Sequence, residues 1–140
     1  MLYSLTEATM SEIKNTIGMK TVESGGLLGS AGRGIIDKYV FDPGKLESTI
    51  EFAPNVDYMQ RILMRWSNQG IRFLGIIHSH IMGSALSDRD ILMARRILEC
   101  NEHIDYILMP VFTTIDQRIT WYKVGNNCVN AIEVEMPKGK

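Results

Sequence analysis

A chain of 140 residues, 45 % of them hydrophobic, carries enough apolar material for one self-supporting core, so residues 1–140 are read as a single domain. Its 15 basic and 16 acidic residues nearly cancel, for a formal charge of −1, which supplies no broad positive field for nucleic acid. No apolar run reaches membrane-spanning length, and Met1 to Glu7 lack the basic region and apolar stretch of a secretory leader, so the expectation is a soluble, cytoplasmic protein.

In chain order, Ser4-Leu5-Thr6-Glu7 has capping-box spacing and predicts the start of a first helix. Leu5, Ala8, Met10, Ile13 and Ile17 give that helix an apolar stripe, and Gly18 predicts its stop. Thr21-Val22-Glu23 leads into the glycine-rich stretch Ser24 to Gly29, where backbone can approach closely. In isolation that stretch reads as a turn with one exposed acid. Gly32-Arg33-Gly34 predicts a hairpin turn, and Ile35-Ile36 and Tyr39-Val40-Phe41 read as strand. Asp42-Pro43-Gly44-Lys45 is a turn, because Pro presets φ and Gly accepts a positive one. Ser48 to Phe52 alternates as a half-buried strand does.

A second helix follows Pro54-Asn55. Met59, Ile62, Leu63 and Trp66 fall at i, i+3, i+4 and i+7 on one face, with Arg61 and Arg65 off it, and Gly70 ends it. Ile71 to Ile77 is almost continuously apolar and predicts a central strand covered on both faces. A third helix runs from Ser87 to about Asn101. Ile91, Ala94 and Leu98 form its apolar row, Met93 and Ile97 widen it, and Arg89, Arg95 and Arg96 make a solvated positive side. Ile104 to Phe112 is a further apolar strand, whose second half Pro110 places near an edge or a bulge. His103 reads as a surface residue in the connection before it. Thr113 to Arg118 is a hairpin connection, and Ile119 to Val124 is the next strand. Ile132, Val134 and Met136 alternate with Glu133 and Glu135 in a last, half-exposed strand. Cys100 and Cys128 make neither a disulfide framework nor a C-x-x-C site. The pattern gives an α+β layered domain, a mixed sheet with about three helices.

The chemistry concentrates in Gly75 to Asp90, G-I-I-H-S-H-I-M-G-S-A-L-S-D-R-D. Side chains two apart on a strand share a face, so His78 and His80 aim their imidazoles the same way from the tip of a buried strand. Asp90 lies in the first turn of the following helix, where the chain can fold back toward them. Two histidines and one carboxylate suit zinc and leave a fourth tetrahedral position, the pattern of a catalytic rather than a structural site. The plainer reading is a pair of surface histidines followed by a helix cap, since Ser87-x-x-Asp90 is also capping-box spacing. His and Asp accept other divalent ions as well.

H-S-H, a short loop and then L-S-x-x-D resembles the signature of the JAB/MPN metalloproteases, the JAMM motif. That family also has an upstream glutamate in a segment E-x-x-G-x-L, and this chain has Glu23-Ser24-Gly25-Gly26-Leu27-Leu28. The three parts occur in the family's order over most of the chain. Two departures concern the loop: Ile81 stands where the family usually has Pro, and the interval from His80 to Ser87 is one residue shorter. Loss of Pro releases a fixed φ, so a more mobile or re-routed loop is expected, with no ligand deleted.

The resemblance implies a curved mixed β-sheet flanked by helices on its two faces, the JAB/MPN (cytidine-deaminase-like) architecture, in a minimal prokaryotic-type member. It implies Zn2+ held by His78, His80 and Asp90. Glu23 would take a proton from water and pass it to the leaving amine, and Ser87 would donate to the oxyanion. Ser79, between the two histidines, points to the opposite face and would simply pack. The implied function is a zinc metallopeptidase, a deubiquitinase-like isopeptidase, cutting a peptide or isopeptide bond after the C-terminal tail of a ubiquitin-like or sulfur-carrier protein. Two alternatives stay open: a catalytically silent MPN scaffold that binds protein partners, and a zinc hydrolase of another amide.

Overall fold

The computed structural model describes residues 2–20, 22–44 and 54–138. The predicted strand Ser48 to Phe52, and Lys45 of the turn before it, lie outside the described residues. In chain order the elements are β1 (Tyr3–Leu5), α1 (Glu7–Asn15), β2 (Gly25–Ser30), β3 (Ile35–Ile36), β4 (Lys38–Asp42), α2 (Val56–Asn68), β5 (Arg72–His80), α3 (Asp88–Cys100), β6 (Tyr106–Leu108), β7 (Val111–Thr113), β8 (Arg118–Thr120), β9 (Tyr122–Gly125), β10 (Val129–Ala131) and β11 (Val134–Glu135).

β5 is the spine. It pairs antiparallel with β2 on one side and parallel with both β6 and β7 on the other, in an open sheet of order β10-β9-β6-β5-β2-β4. Alternation along the strands sorts the core into two layers. Leu27, Ile76 and Ile107 pack with Met59, Ile62 and Trp66 of α2 and Ala94, Ile97 and Leu98 of α3. Their chain neighbours Leu28, Ile77 and Leu108 pack with Ile13 of α1, Ile17 and Phe112. The sheet therefore has α1 on one face and α2 and α3 on the other, the mixed-sheet α+β arrangement expected. Among the described residues no helix is long and apolar enough to cross a membrane.

The glycine-rich stretch is a central strand, not a turn: all six residues of β2 are buried. Glycine is needed for the close approaches it makes. A Cβ on Gly26 would meet Tyr39 Cε1 at 2.5 Å and the Val40 carbonyl at 2.6 Å. On β5, a Cβ on Gly75 would fall on the Leu108 backbone. Asp42 closes the predicted turn after β4, its Oδ1 accepting from the Gly44 N–H at 2.7 Å, with Gly44 at φ 72°.

α2 and α3 form where their periodicity places them. Asn55 caps α2 by accepting from the Tyr58 N–H at 3.1 Å, and Gly70, at φ 72°, follows its end. The first helix differs from expectation. Tyr3–Leu5 is a strand that pairs parallel with β3 and β11, so Thr6 rather than Ser4 is the cap, accepting from the Thr9 N–H at 3.2 Å. Thr9 and Ile13 are buried and Ala8 is exposed. The helix ends at Asn15, and Gly18 sits inside a 3-10 turn, Ile17–Met19. A four-residue cap pattern carries no information about strand partners about 30 and 130 positions away, and those pairings draw Tyr3–Leu5 into the sheet.

Two further differences share one cause. Ile104 to Phe112 is not one strand: Met109-Pro110 divides it into β6 and β7. Proline has no N–H for the ladder, but its carbonyl still accepts from the His78 N–H at 3.2 Å. Opposite that break, Ile119 to Val124 divides at Trp121 into β8 and β9. The last predicted strand shortens to Val134–Glu135, and Val129–Ala131 forms an additional edge strand on β9.

Candidate metal centre

β5 ends at His80, and its last three residues lie beside β7, with His78 opposite Val111 and His80 opposite Thr113. His78 is 1 % exposed. The two imidazoles meet edge to face, with ring centroids 4.8 Å apart. From His80 the chain makes a six-residue excursion, 81–86, and enters α3 through Ser87. Ser87 and Asp90 form a reciprocal capping box. The Ser87 Oγ accepts from the Asp90 N–H at 3.1 Å, and the Ser87 N–H donates to Asp90 Oδ2 at 2.9 Å. The helix-cap half of the plainer reading therefore holds, while the surface-histidine half does not, since His78 is buried; the cap holds the Asp90 carboxylate facing the histidines.

Three donor atoms converge. His78 Nε2 lies 3.1 Å from His80 Nε2 and 3.1 Å from Asp90 Oδ2, and His80 Nε2 lies 3.5 Å from the same oxygen. A tetrahedral zinc with bonds of about 2.0–2.2 Å requires donor atoms roughly 3.3 Å apart, and all three separations fall close to that. His78, His80 and Asp90 thus form a group able to hold a metal ion. The donor set, two imidazoles and a carboxylate, suits zinc without restricting the site to it.

The electrostatics agree with a site built for a cation. Burial raises the proton affinity of Asp90, but the His78 and His80 hydrogen bonds, the charge of His78 and the Ser87 N–H overcome it and hold the carboxyl well below its usual range. His80 is shifted up, chiefly by its hydrogen bond to Asp90. Burial opposes the shift, and the charges of Glu23 and Asp90 and the Gly83 carbonyl add to it. An excess of negative potential at the histidine pair is what a divalent ion would neutralise.

Glu23 stands just before β2, half-buried, close enough for its charge to act on His80. The β2–β5 register pairs Gly25 with His78. The ladder ends at that pair, and Glu23 lies two residues beyond it, on the side where β5 continues to His80. Ser87 is exposed; its Oγ accepts from Asp90, which leaves its own proton as a donor.

The loop without the proline is tethered at two carbonyls. The Thr113 hydroxyl donates to the Gly83 carbonyl at 3.0 Å, and the Tyr122 hydroxyl donates to the Ser84 carbonyl at 2.7 Å. Gly83 adopts φ 84°, which relieves the turn without proline. The Gly83 carbonyl also favours the charged form of His80, so the loop acts on that ring from outside the centre. Thr113 and Tyr122 escape a sequence reading because they lie about 30 and 38 residues from their acceptors. Ser79 was likewise expected only to pack. It is 1 % exposed, and it bonds both backbone groups of Ser24. Cys100 and Cys128 are free and exposed, and His103 is an exposed residue, as expected.

Comparison with solved structures gives full-length likeness at low identity. The solution structure of protein DSY2949 from Desulfitobacterium hafniense matches with TM-score 0.77 and 16 % identity over 99 % of this chain and 94 % of that one. AF2198, a JAB1/MPN domain protein from Archaeoglobus fulgidus, matches with TM-score 0.56 and 14 % identity over 97 % and 98 %. The chain has the JAB1/MPN fold. A structure described as JAMM, a metalloprotease-like zinc site in the proteasome and signalosome, matches with TM-score 0.57 and 15 % identity over 99 % and 100 %. No family model and no curated protein matches the sequence. Within the JAB1/MPN fold, the His78, His80 and Asp90 cluster lies at the strand tip and helix entrance.

Proposed function

We propose that this protein is a zinc-dependent metallopeptidase that hydrolyses a peptide or isopeptide bond after the C-terminal tail of a ubiquitin-like or sulfur-carrier protein. The observation that carries the reading is the triangle of His78 Nε2, His80 Nε2 and Asp90 Oδ2, with separations of 3.1, 3.1 and 3.5 Å. His78, His80 and Asp90 would hold the ion. When bound, zinc acidifies water and polarises an amide carbonyl.

The chain's own groups cover the remaining chemistry. Glu23 is no part of the triangle, so its carboxylate is available to take a proton from water and deliver it to the departing amine. The Ser87 hydroxyl donates toward the oxygen on which charge develops, and its bond from the Asp90 N–H orients it in advance. Ile81 and Met82, 49 % and 74 % exposed on the loop beside the centre, give an extended peptide an apolar surface that a small polar amide would not use. A silent scaffold has no use for a complete donor set, and that reading ranks second.

The test is hydrolysis of a ubiquitin-like fusion by the zinc-loaded chain, compared with Glu23→Gln and His80→Ala, with zinc content measured in parallel. The wild type cuts the fusion. Glu23→Gln keeps the metal and loses about 10²–10⁴-fold in rate, the usual share of general acid–base catalysis. His80→Ala loses both. Equal rates for all three proteins would defeat the proposal, and a wild type that never retains zinc would favour the scaffold.

A further inference from the structure

We infer that Ser79 is a positioning residue for Glu23, an inference that rests on the hydrolase reading above. The regular β2–β5 ladder begins at the pair Gly25 and His78. One residue further, Ser24 lies outside the strand. Its carbonyl still accepts from the Ser79 N–H at 2.7 Å, but its N–H donates to the Ser79 Oγ at 2.9 Å. The same Oγ donates to the Ser24 carbonyl at 3.2 Å. In a regular hydrogen-bonded pair that N–H would go to the facing backbone carbonyl. Here a side chain takes its place and grips both backbone groups of the residue next to Glu23.

Ser79 does this because it alternates with the histidines. His78 and His80 are committed to the centre on one face, and the residue between them is turned away from it. It cannot touch substrate or metal, but it can fix the backbone that carries the proton acceptor. Glu23 itself lies beyond the end of the ladder, where strand pairing no longer sets its position. The clamp extends the register by one residue, on the side where β5 continues to His80. Alanine at position 79 would leave the ladder from Gly25 inward intact and free the chain at 22–24. A displacement of about 1 Å in a reacting group costs up to roughly a hundredfold in rate.

The experiment uses the full chain, zinc-loaded, as wild type and Ser79→Ala. It measures kinetics on the ubiquitin-like fusion, zinc content, and amide hydrogen exchange without substrate. We expect Ser79→Ala to keep its zinc and a KM within about twofold, while kcat falls by about ten- to a hundredfold. The Ser24 amide should exchange at least about tenfold faster, with the amides of Leu27 and Leu28 as protected as before. Unchanged exchange at Ser24, unchanged kcat, or loss of zinc together with protection across β2 would each overturn the inference; the last outcome describes a merely structural residue. Should Ser79→Ala not fold, Ser79→Cys keeps the volume and weakens both bonds, and it is judged by the same readings. A wild type without zinc-dependent turnover would sink the hydrolase reading, whereas the Ser24 exchange would still show whether the clamp exists.

Discussion

His78 and Asp90 reach the same point from opposite kinds of structure. His78 rides a strand bonded on both sides, to Gly25 across one ladder and Val111 across the other. Its placement is a property of the whole sheet. Asp90 is placed by its own neighbourhood: a four-residue cap and a loop tethered at two carbonyls by Thr113 and Tyr122. One half of the centre can change only if the core changes; the other can be re-cut locally. This accounts for the loop tolerating Ile81 and a shorter path while the donor triangle survives.

That contrast predicts unequal costs. The largest belongs to the strand half. Gly75→Ala puts a methyl into the Leu108 backbone and should cost about 3 kcal/mol or more through overpacking. It should remove metal binding together with the fold, as read from the denaturation midpoint. If the variant were fully stable, β5 would not be the rigid member. Asp90→Asn comes next. It keeps the shape of the cap but removes the charge between the histidines, so zinc retention should fall by at least about tenfold, and the metal-free melting temperature at neutral pH should fall too, since the fold favours the ionised carboxyl. Ser87→Ala is smaller, about 1 kcal/mol for a lost N-cap. The loss should be confined to α3 and visible as faster amide exchange in its first turn.

The mildest probe is pH. Asp90 is held below its usual range, so its contribution to the metal-free fold is complete above the ordinary carboxylate value of about 3.9 and fades as pH falls through the depressed one. His80 is raised, so its contribution is complete below about 6.5 and fades as pH climbs through the raised value. The metal-free protein should therefore be most stable between those limits. Zinc affinity should run the other way, rising with pH across the His80 titration, because the ion needs the neutral ring. Melting curves with and without zinc should therefore diverge as pH rises through the His80 titration. Parallel curves would mean that the two halves do not share a ligand point.

Much of this was legible in the sequence, and the boundary of legibility has a physical cause. Met59, Ile62, Leu63 and Trp66 declare one helix face, the row Ile91, Ala94 and Leu98 another, and Ile71 to Ile77 a covered strand, because burial imposes a period on contiguous residues. His78, His80 and Asp90 were legible because strand alternation and helix entry are local geometry. The strand Tyr3–Leu5 was hidden, since both its partners, β3 and β11, are distant in the chain. The Ser79 grip on Ser24 was hidden in the same way, 55 residues apart, as were Thr113 and Tyr122. Gly26 and Gly29 misled locally because their use, letting Tyr39 and Trp66 press against the backbone, appears only once the layers are stacked.

The interruption at Pro110 carries a consequence for how such a centre can diversify. β5 is one continuous strand, yet Gly75 answers to β6 and its last three residues to β7, so it passes from the β6–β9 ladder to the β7–β8 ladder of one interrupted hairpin just where the histidines begin. Lengthening or redecorating the β7–β8 hairpin would reshape the rim of the centre while β6, β9 and the packing behind them stay as they are. The proline thus divides the sheet into a foundation that must be inherited whole and a margin free to vary.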